Sequence, residues 1–444
     1  MNQQCKPSGH PSVIGRTRKV LRGSVRVPTS KPHSQRAFLM ATLARGRSLI
    51  RCPNTCSESE ILRQACEELG AVFTPAGEAL AIQGVDGRPR RPTTVLRTAG
   101  SGFALRHLMA ITSLAESPCV LTGDQRLAAR PLEPLVDALT ELGGRLEHAA
   151  PEFVLPLVNW SGGLVGGDVT VPAHETSQFV SSLLLVAPYA TRPTRVRVPG
   201  PVVGGHYIQM TLDMMRRFGA TAWAADDLDL IEVQPGGYAA RELSLGPDVT
   251  SLFYLIAAAV IADADIRVQD VLLGDDQFLD NAVALGRRLG VQITQDGMDI
   301  RIVSGPAPAE PLDVNAANLP TLVPALAAVS PHLPNGLRLC GARHIHHHKT
   351  SRLAVMIEEL ATLGMHLRPI LRGGELDGFE TDRLGPSTAR QVSSFGDHRN
   401  YMALYLATLA VPEQVAISGA ETLMTSFAGF HACFSSLVVQ SVAL

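Results

Sequence analysis

The strongest constraint on the fold is a period. Five amphipathic segments each end in leucine or phenylalanine followed by glycine, at Gly70, Gly143, Gly219, Gly290 and Gly364, with steps of 73, 76, 71 and 74 residues. A glycine after the last apolar position is a left-handed helix terminator, and a strand pattern follows each one. A second set of segments runs out of phase with the first. In it, an Ala/Leu-rich helix passes through a short turn into a β-branched strand, as in "LIAAAVIADADIRV" and "LVPALAAVSPHLPNGLRL". Six such segments occur, and 444 residues divided by six is 74. The chain therefore reads as six copies of one helix–strand–helix–strand unit. The period is too long for common solenoids, so two globular halves of three units each are expected. The fold class is α/β (α+β). Pro and Gly interrupt the pattern near Thr29–Ser30 and Gly246–Asp248, which puts one domain at 30–247 and the other at 1–29 plus 248–444. A cleft between two halves is the default place for a ligand.

Hydrophobic residues make up 45% of the chain and charged residues 18%, a balance suited to large packed cores. The net charge of −2 gives no reason to expect nucleic acid or an acidic membrane as partner. The longest apolar runs are helix-sized and too short for a bilayer. The first twenty residues lack a signal-peptide apolar run, and the seven cysteines read as reduced thiols, so a soluble cytoplasmic protein is expected. Cys52 and Cys56 have no second ligand pair, which leaves a zinc reading weak.

Basic residues recur where loops enter helices. These are Lys31 and Arg36, Arg106 behind a Gly-Ser-Gly turn, Arg126 and Arg130, Lys349 and Arg352, and His398 and Arg399. Backbone N–H groups and the helix dipole favour anions at such places, and arginine adds a planar fork for phosphate or carboxylate. Any one of these side chains alone reads as a solvated helix residue. Five similar placements in a nearly neutral chain point to one anionic ligand.

The motifs "TSKPHSQRAFLMATLA", "AGSGFALRHL", "GDQRLAARPLEPLVDAL", "ETSQFVSSLLLVAPYA" and "GDHRNYMAL" follow one another in the order of a known family. From about Leu21 to Leu437 the chain resembles the enolpyruvyl (carboxyvinyl) transferases, in their 5-enolpyruvylshikimate-3-phosphate synthase branch. The resemblance implies two domains of three βαβαββ repeats closing on shikimate 3-phosphate and phosphoenolpyruvate, with no cofactor. It implies that Lys31 contacts phosphoenolpyruvate and Arg36 the shikimate carboxylate. It also implies that Arg126, Arg352 and Arg399 hold phosphoenolpyruvate. Thr176, Ser177 and Gln178 match the family's Ser-Ser-Gln at the sugar-acid phosphate and ring, and Tyr207 a tyrosine lining that site. Arg106 matches the arginine of the glycine turn, and His398 the histidine beside the last arginine.

The departures are chemical. The family's hydroxyl base gives way to Thr321, and its proton-shuttling glutamate to Lys349 within "ARHIHHHKTSRL". A late lysine becomes Thr425, a phosphate-binding serine becomes Gly204, and the threonine of the glycine turn becomes Phe103. A positioned acid or base contributes on the order of 10²–10⁴-fold, so a substitute is needed. The histidine run allows three readings: a metal site, a solvated loop, or proton transfer by His348 or Lys349. Arg352, Arg399 and burial would push the Lys349 pKa down and make it a base. Three activities follow as alternatives. The first is a divergent carboxyvinyl transferase acting on shikimate 3-phosphate or a related cyclic acid. The second is a lyase that eliminates phosphate or water from such an acid without phosphoenolpyruvate. The third is a non-catalytic relative that binds it. The sequence is silent on oligomeric state.

Overall fold

A computed structural model describes residues 19–150, 153–160, 162–274, 276–347, 350–387, 390–411 and 414–439. In it the period becomes six helix pairs. In chain order the helices are α1 (Lys31–Leu43), α2 (Ser57–Glu68), α3 (Gly102–Thr112), α4 (Glu133–Glu141), α5 (Gln178–Val186) and α6 (Gly205–Arg217). They continue with α7 (Val249–Ile261), α8 (Gln277–Arg288), α9 (Val323–Val329), α10 (Arg352–Thr362), α11 (His398–Thr408) and α12 (Phe430–Leu437). The odd-numbered helices carry the Ala/Leu-rich runs and are buried almost all round. The even-numbered ones bury one face only. Gly70, Gly143, Gly219, Gly290 and Gly364 follow the first five even-numbered helices, all with φ between 75° and 105°. A side chain there would strain the backbone, so these glycines are the stops that set the period.

Four of the odd-numbered helices, α3, α5, α9 and α11, are crossovers between parallel strands. Gly167–Thr170 leads through α5 to Thr194–Arg197, and Leu312–Asn315 leads through α9 to Leu337–Cys340, each pair parallel. The hairpin after the next helix then adds antiparallel strands, as Leu230–Val233 does beside Thr194–Arg197. Two units take their first strand from elsewhere in the chain. Val20–Val25 pairs with Asp263–Val268, and Glu242–Ser244 pairs with Arg47–Arg51. The chain therefore crosses twice, side by side, between two separate apolar cores. Ser30 N donates to the Gly246 carbonyl at 2.9 Å, and Asp248 N to the Pro28 carbonyl at 2.8 Å. One core gathers apolar side chains from α1 to α6, the other those from α7 to α12 together with Leu21, Val25 and Val27. We refer to these as the first and second lobes.

Capping fixes where the buried helices start, and so which residues face the cleft. Ser30, Ser101, Asp248 and Asp397 accept backbone N–H groups at the starts of α1, α3, α7 and α11. Among the described residues no helix is long and apolar enough to cross a membrane.

Candidate active site

A cavity of about 190 Å³ opens where helix starts from both lobes converge. The first lobe supplies Lys31 and Arg36 from α1, Glu58 from α2, and Phe103 and Arg106 from α3. It also supplies Arg130, Glu175, Thr176, Ser177, Gln178 and Tyr207, while Thr321, His344, Arg352, His398 and Arg399 come from the second lobe. Free N–H groups at helix starts add positive potential to that of the side chains.

Burying this much positive charge requires compensation. Lys31 is 8% exposed; its Nζ donates to Glu58 Oε2 at 2.9 Å and to the Thr425 carbonyl at 3.1 Å. Burial works to lower the Lys31 pKa, but Glu58 and Cys56 together overcome it and the net shift is upward. Arg352 Nε donates to Asp397 Oδ2 at 2.7 Å, in a pair whose side chains are 6% and 0% exposed. Burial would raise the Asp397 carboxyl; Arg352 and His398 overcome this and hold it well below the usual carboxylate range. The same carboxylate accepts from Arg399 N at 2.8 Å, so it caps α11 and anchors Arg352 together.

Among the described residues the arginines Arg36, Arg106, Arg130 and Arg399 make no carboxylate salt bridge. Arg36 donates to Thr211 Oγ1 and to the carbonyls of Pro32 and Tyr207. Its guanidinium lies 5.3 Å from the Phe103 ring centre and 5.7 Å from that of Tyr207. Arg106 donates to Gln178 Oε1 at 2.8 Å, and burial followed by the nearby Arg130 pushes it down to about 9. Arg106 Nε and Arg399 Nη1 are buried with no hydrogen-bond partner among the described residues. Buried donors of this kind suit an anionic ligand.

Most residues singled out in the sequence meet here: Lys31, Arg36, Arg106, Thr176, Ser177, Gln178, Tyr207, Arg352, His398 and Arg399. Arg126 differs. It is exposed and rests against Gly396 at the lobe junction, while Arg130, four residues on, lines the cavity. Both belong to the "GDQRLAARPL" motif, but the short helix Gln125–Ala128 holds Arg126 and ends before Arg130, which alone turns inward. His348 and Lys349 lie outside the described residues. The histidine run divides. His344 lines the cavity, whereas His346 bonds Ser351 Oγ and the Leu376 carbonyl. Among the described residues no three His, Cys, Asp or Glu side chains stand where one metal ion could be held. Arg130 and His344 were noted in the sequence, as one of the recurring basic residues and as part of the histidine run, but given no role, while Glu58 and Asp397 were missing from the sequence-derived set. Asp397 stood beside a chosen residue, but Glu58 has no local signal and meets Lys31 only through the packing of α1 on α2.

The sequence profile of the family described as EPSP synthase (3-phosphoshikimate 1-carboxyvinyltransferase) matches residues 16–434. A 3-phosphoshikimate 1-carboxyvinyltransferase of Methanococcoides burtonii is 29% identical over 430 residues, covering 95% of this chain and 96% of the relative. One of Halobacterium salinarum is 31% identical over 431 residues, covering 94% and 96%. Among solved structures, an EPSP synthase from Acinetobacter baumannii superimposes with a TM-score of 0.75 at 22% identity, covering 95% of this chain and 97% of that one. The enolpyruvyl transferase NikO from Streptomyces tendae does so with a TM-score of 0.71 at 17% identity, covering 95% and 96%. With a family profile spanning nearly its whole length, relatives of matching extent and a shared two-lobed fold, the chain belongs to the EPSP synthase family.

Proposed function

We propose that the protein transfers a carboxyvinyl group from phosphoenolpyruvate to a hydroxyl of shikimate 3-phosphate or a related cyclic acid. The observation that carries this reading is the gathering of Lys31, Arg130, Arg352 and Arg399 in one cavity. Phosphoenolpyruvate presents a phosphate and a carboxylate on three carbons, and four cations at the lobe junction match that charge. Asp397 holds Arg352 in place before the ligand arrives, so less side-chain entropy is lost on binding.

Transfer forms a bond from the acceptor oxygen to the central carbon of the enol and breaks the bond to phosphate. The methylene carbon gains a proton and later returns it, and the acceptor hydroxyl gives one up. Thr321 carries no ionisable group, and its hydroxyl accepts from Thr250 Oγ1 at 3.1 Å. Glu58 is tied to Lys31. Proton handling then falls to His344 and His398, which line the cavity, and to His348 or Lys349. His398 Nδ1 lies 3.1 Å from Thr425 Oγ1, a contact that orients its ring.

Thr321 favours a second reading. With no carboxylate at that position, a single-base elimination of phosphate or water from the cyclic acid needs fewer proton donors than transfer does. One experiment separates the two. The protein is incubated with shikimate 3-phosphate, and in parallel with shikimate, each with and without phosphoenolpyruvate. Phosphate release and an enolpyruvyl ether by mass spectrometry, both dependent on phosphoenolpyruvate, are expected. A diene absorbance without phosphoenolpyruvate would replace transfer by elimination.

A further inference from the structure

Between the two cations that α1 brings to the cavity lies a third side chain of the same helix. Gln35 is 2% exposed and lines the cavity. It follows Lys31 by four residues, so the two share a side of the helix, with Gln35 about 6 Å further along the axis. Arg36 is the next residue and points about 100° round from it. Lys31 reaches Glu58 and the Thr425 carbonyl, at the end of the cavity made with the second lobe. Arg36 faces the rings of Phe103 and Tyr207 at the other end. Gln35 therefore stands on the cavity wall where the two ends meet.

Its amide differs from its neighbours in one respect. Gln35 Nε2 is buried and has no hydrogen-bond partner among the described residues. The cations on either side are engaged, Lys31 with Glu58 and Thr425, and Arg36 with Thr211, Pro32 and Tyr207. Protein interiors pair the large majority of their buried polar groups, and an unpaired one on a cavity wall is costly until a ligand supplies its partner. That partner is a neutral group. A phosphate or carboxylate finds Arg106, Arg130, Arg352 and Arg399 in the same cavity, whereas the amide carries no charge. It holds one donor group and one acceptor, as a hydroxyl does, and a half-turn about its last torsion exchanges the two. An amide at this place suits a ring hydroxyl.

We infer that Gln35 is a further substrate-binding residue, whose amide holds a hydroxyl of the acceptor ring where that ring faces the phosphoenolpyruvate end of the cavity. The inference deepens the transfer reading and rests on it for the identity of the ring acid. The test compares the parent chain with Gln35→Met, which keeps the length of the side chain and removes its amide. Each is titrated calorimetrically with phosphoenolpyruvate, with shikimate 3-phosphate, and with analogues of the latter in which one ring hydroxyl is replaced by hydrogen. Gln35→Met is expected to bind shikimate 3-phosphate about tenfold more weakly than the parent does. Its affinity for phosphoenolpyruvate is expected to stay within about twofold, which also shows that the variant is folded. One deoxy analogue is expected to show the same loss with the parent and no further loss with Gln35→Met. Thermal melts should find Gln35→Met at least as stable as the parent, because removing the unpaired amide donor breaks no protein hydrogen bond. Unchanged affinity for shikimate 3-phosphate, a matching loss for phosphoenolpyruvate, deoxy analogues that behave alike in both proteins, a lower melting midpoint, or a parent that binds no ring acid would each overturn the inference. A parent that binds the ring acid but not phosphoenolpyruvate would instead remove the transfer reading, with the Gln35 contact still measured by the analogues.

Discussion

At the scale of single residues, the site rests on how buried charges are shared. Arg399 brings into the cavity a buried Nη1 with no partner among the described residues. A hydrogen bond to a charged group is worth about 1.5–3 kcal/mol, so Arg399→Ala should weaken phosphoenolpyruvate binding by roughly 10–150-fold in calorimetry. Its effect on stability should be small by comparison, since no salt bridge is broken. Asp397→Asn should behave differently. It removes the charge that balances Arg352 in a pair with side chains 6% and 0% exposed. Removing one member of such a pair costs about 3–5 kcal/mol, which urea unfolding would register as a lower midpoint at unchanged slope. Arg352, Arg399 and His398 were legible in the sequence because each sits in a short motif with a fixed place at a helix start. Glu58 was not, because 27 residues separate it from Lys31 and only a tertiary contact joins them.

At the scale of elements, the glycines carry the design. Gly290 ends α8 with φ +90°, and a Cβ there would lie 2.3 Å from the Pro306 carbonyl oxygen. Gly290→Ala adds left-handed strain of about 1–2 kcal/mol to a backbone clash. Gly77, in the tight turn between Val72–Ala76 and Ala79–Gln83, has φ +64° and nothing within 4 Å of such a Cβ. Gly77→Ala should therefore cost only the strain, and thermal melts of the two variants should separate with Gly290→Ala the less stable. The helix stops were readable because glycine is the residue that a left-handed terminator needs. The strand partners were less so. Nothing local in "VLRGSV" says that Val20–Val25 pairs with Asp263–Val268, beyond the intervening domain. Arg126 and Arg130 would share a face of a continuous helix, but the helix stops at Ala128, and that early stop, which the sequence does not reveal, leaves only Arg130 turned inward.

At the scale of the whole molecule, histidines gather about the lobe junction, His107 buried and His33 and His206 half-buried. Ring contacts run from His107 through Phe103 to Arg36 and Tyr207, then on to His206, which stacks on Phe278 of the second lobe at 4.0 Å. Burial first, and Arg36 next, push His107 and His206 down to about 3. His33 is pushed down to about 4, with burial outweighing the opposing pull of Asp276. In the unfolded chain these rings take a proton near 6.5, so between that value and about 3 to 4 the unfolded state binds more protons. Their contribution is complete above pH 6.5 and is lost on acidification. Each loses on the order of 2 kcal/mol by pH 5. Melts at pH 7 and pH 5 should show a lower midpoint at pH 5, and His206→Gln should reduce the difference.

The sequence by itself determined the period, the alternation of buried and amphipathic helices, and the residue types at each helix start. These are set by hydrophobic patterning, glycine conformation and capping, all of which act within a few residues. Only the tertiary structure decided which of those helix starts share a cavity, that Glu58 and Asp397 neutralise part of it, and that Asn318 covers the start of α6. The physical reason is reach. Coulomb pairs and the hydrogen bond from Gly205 N to Asn318 Oδ1 join residues that only the packing of helices and the meeting of two lobes bring within 3 Å or so, and no local pattern encodes that distance.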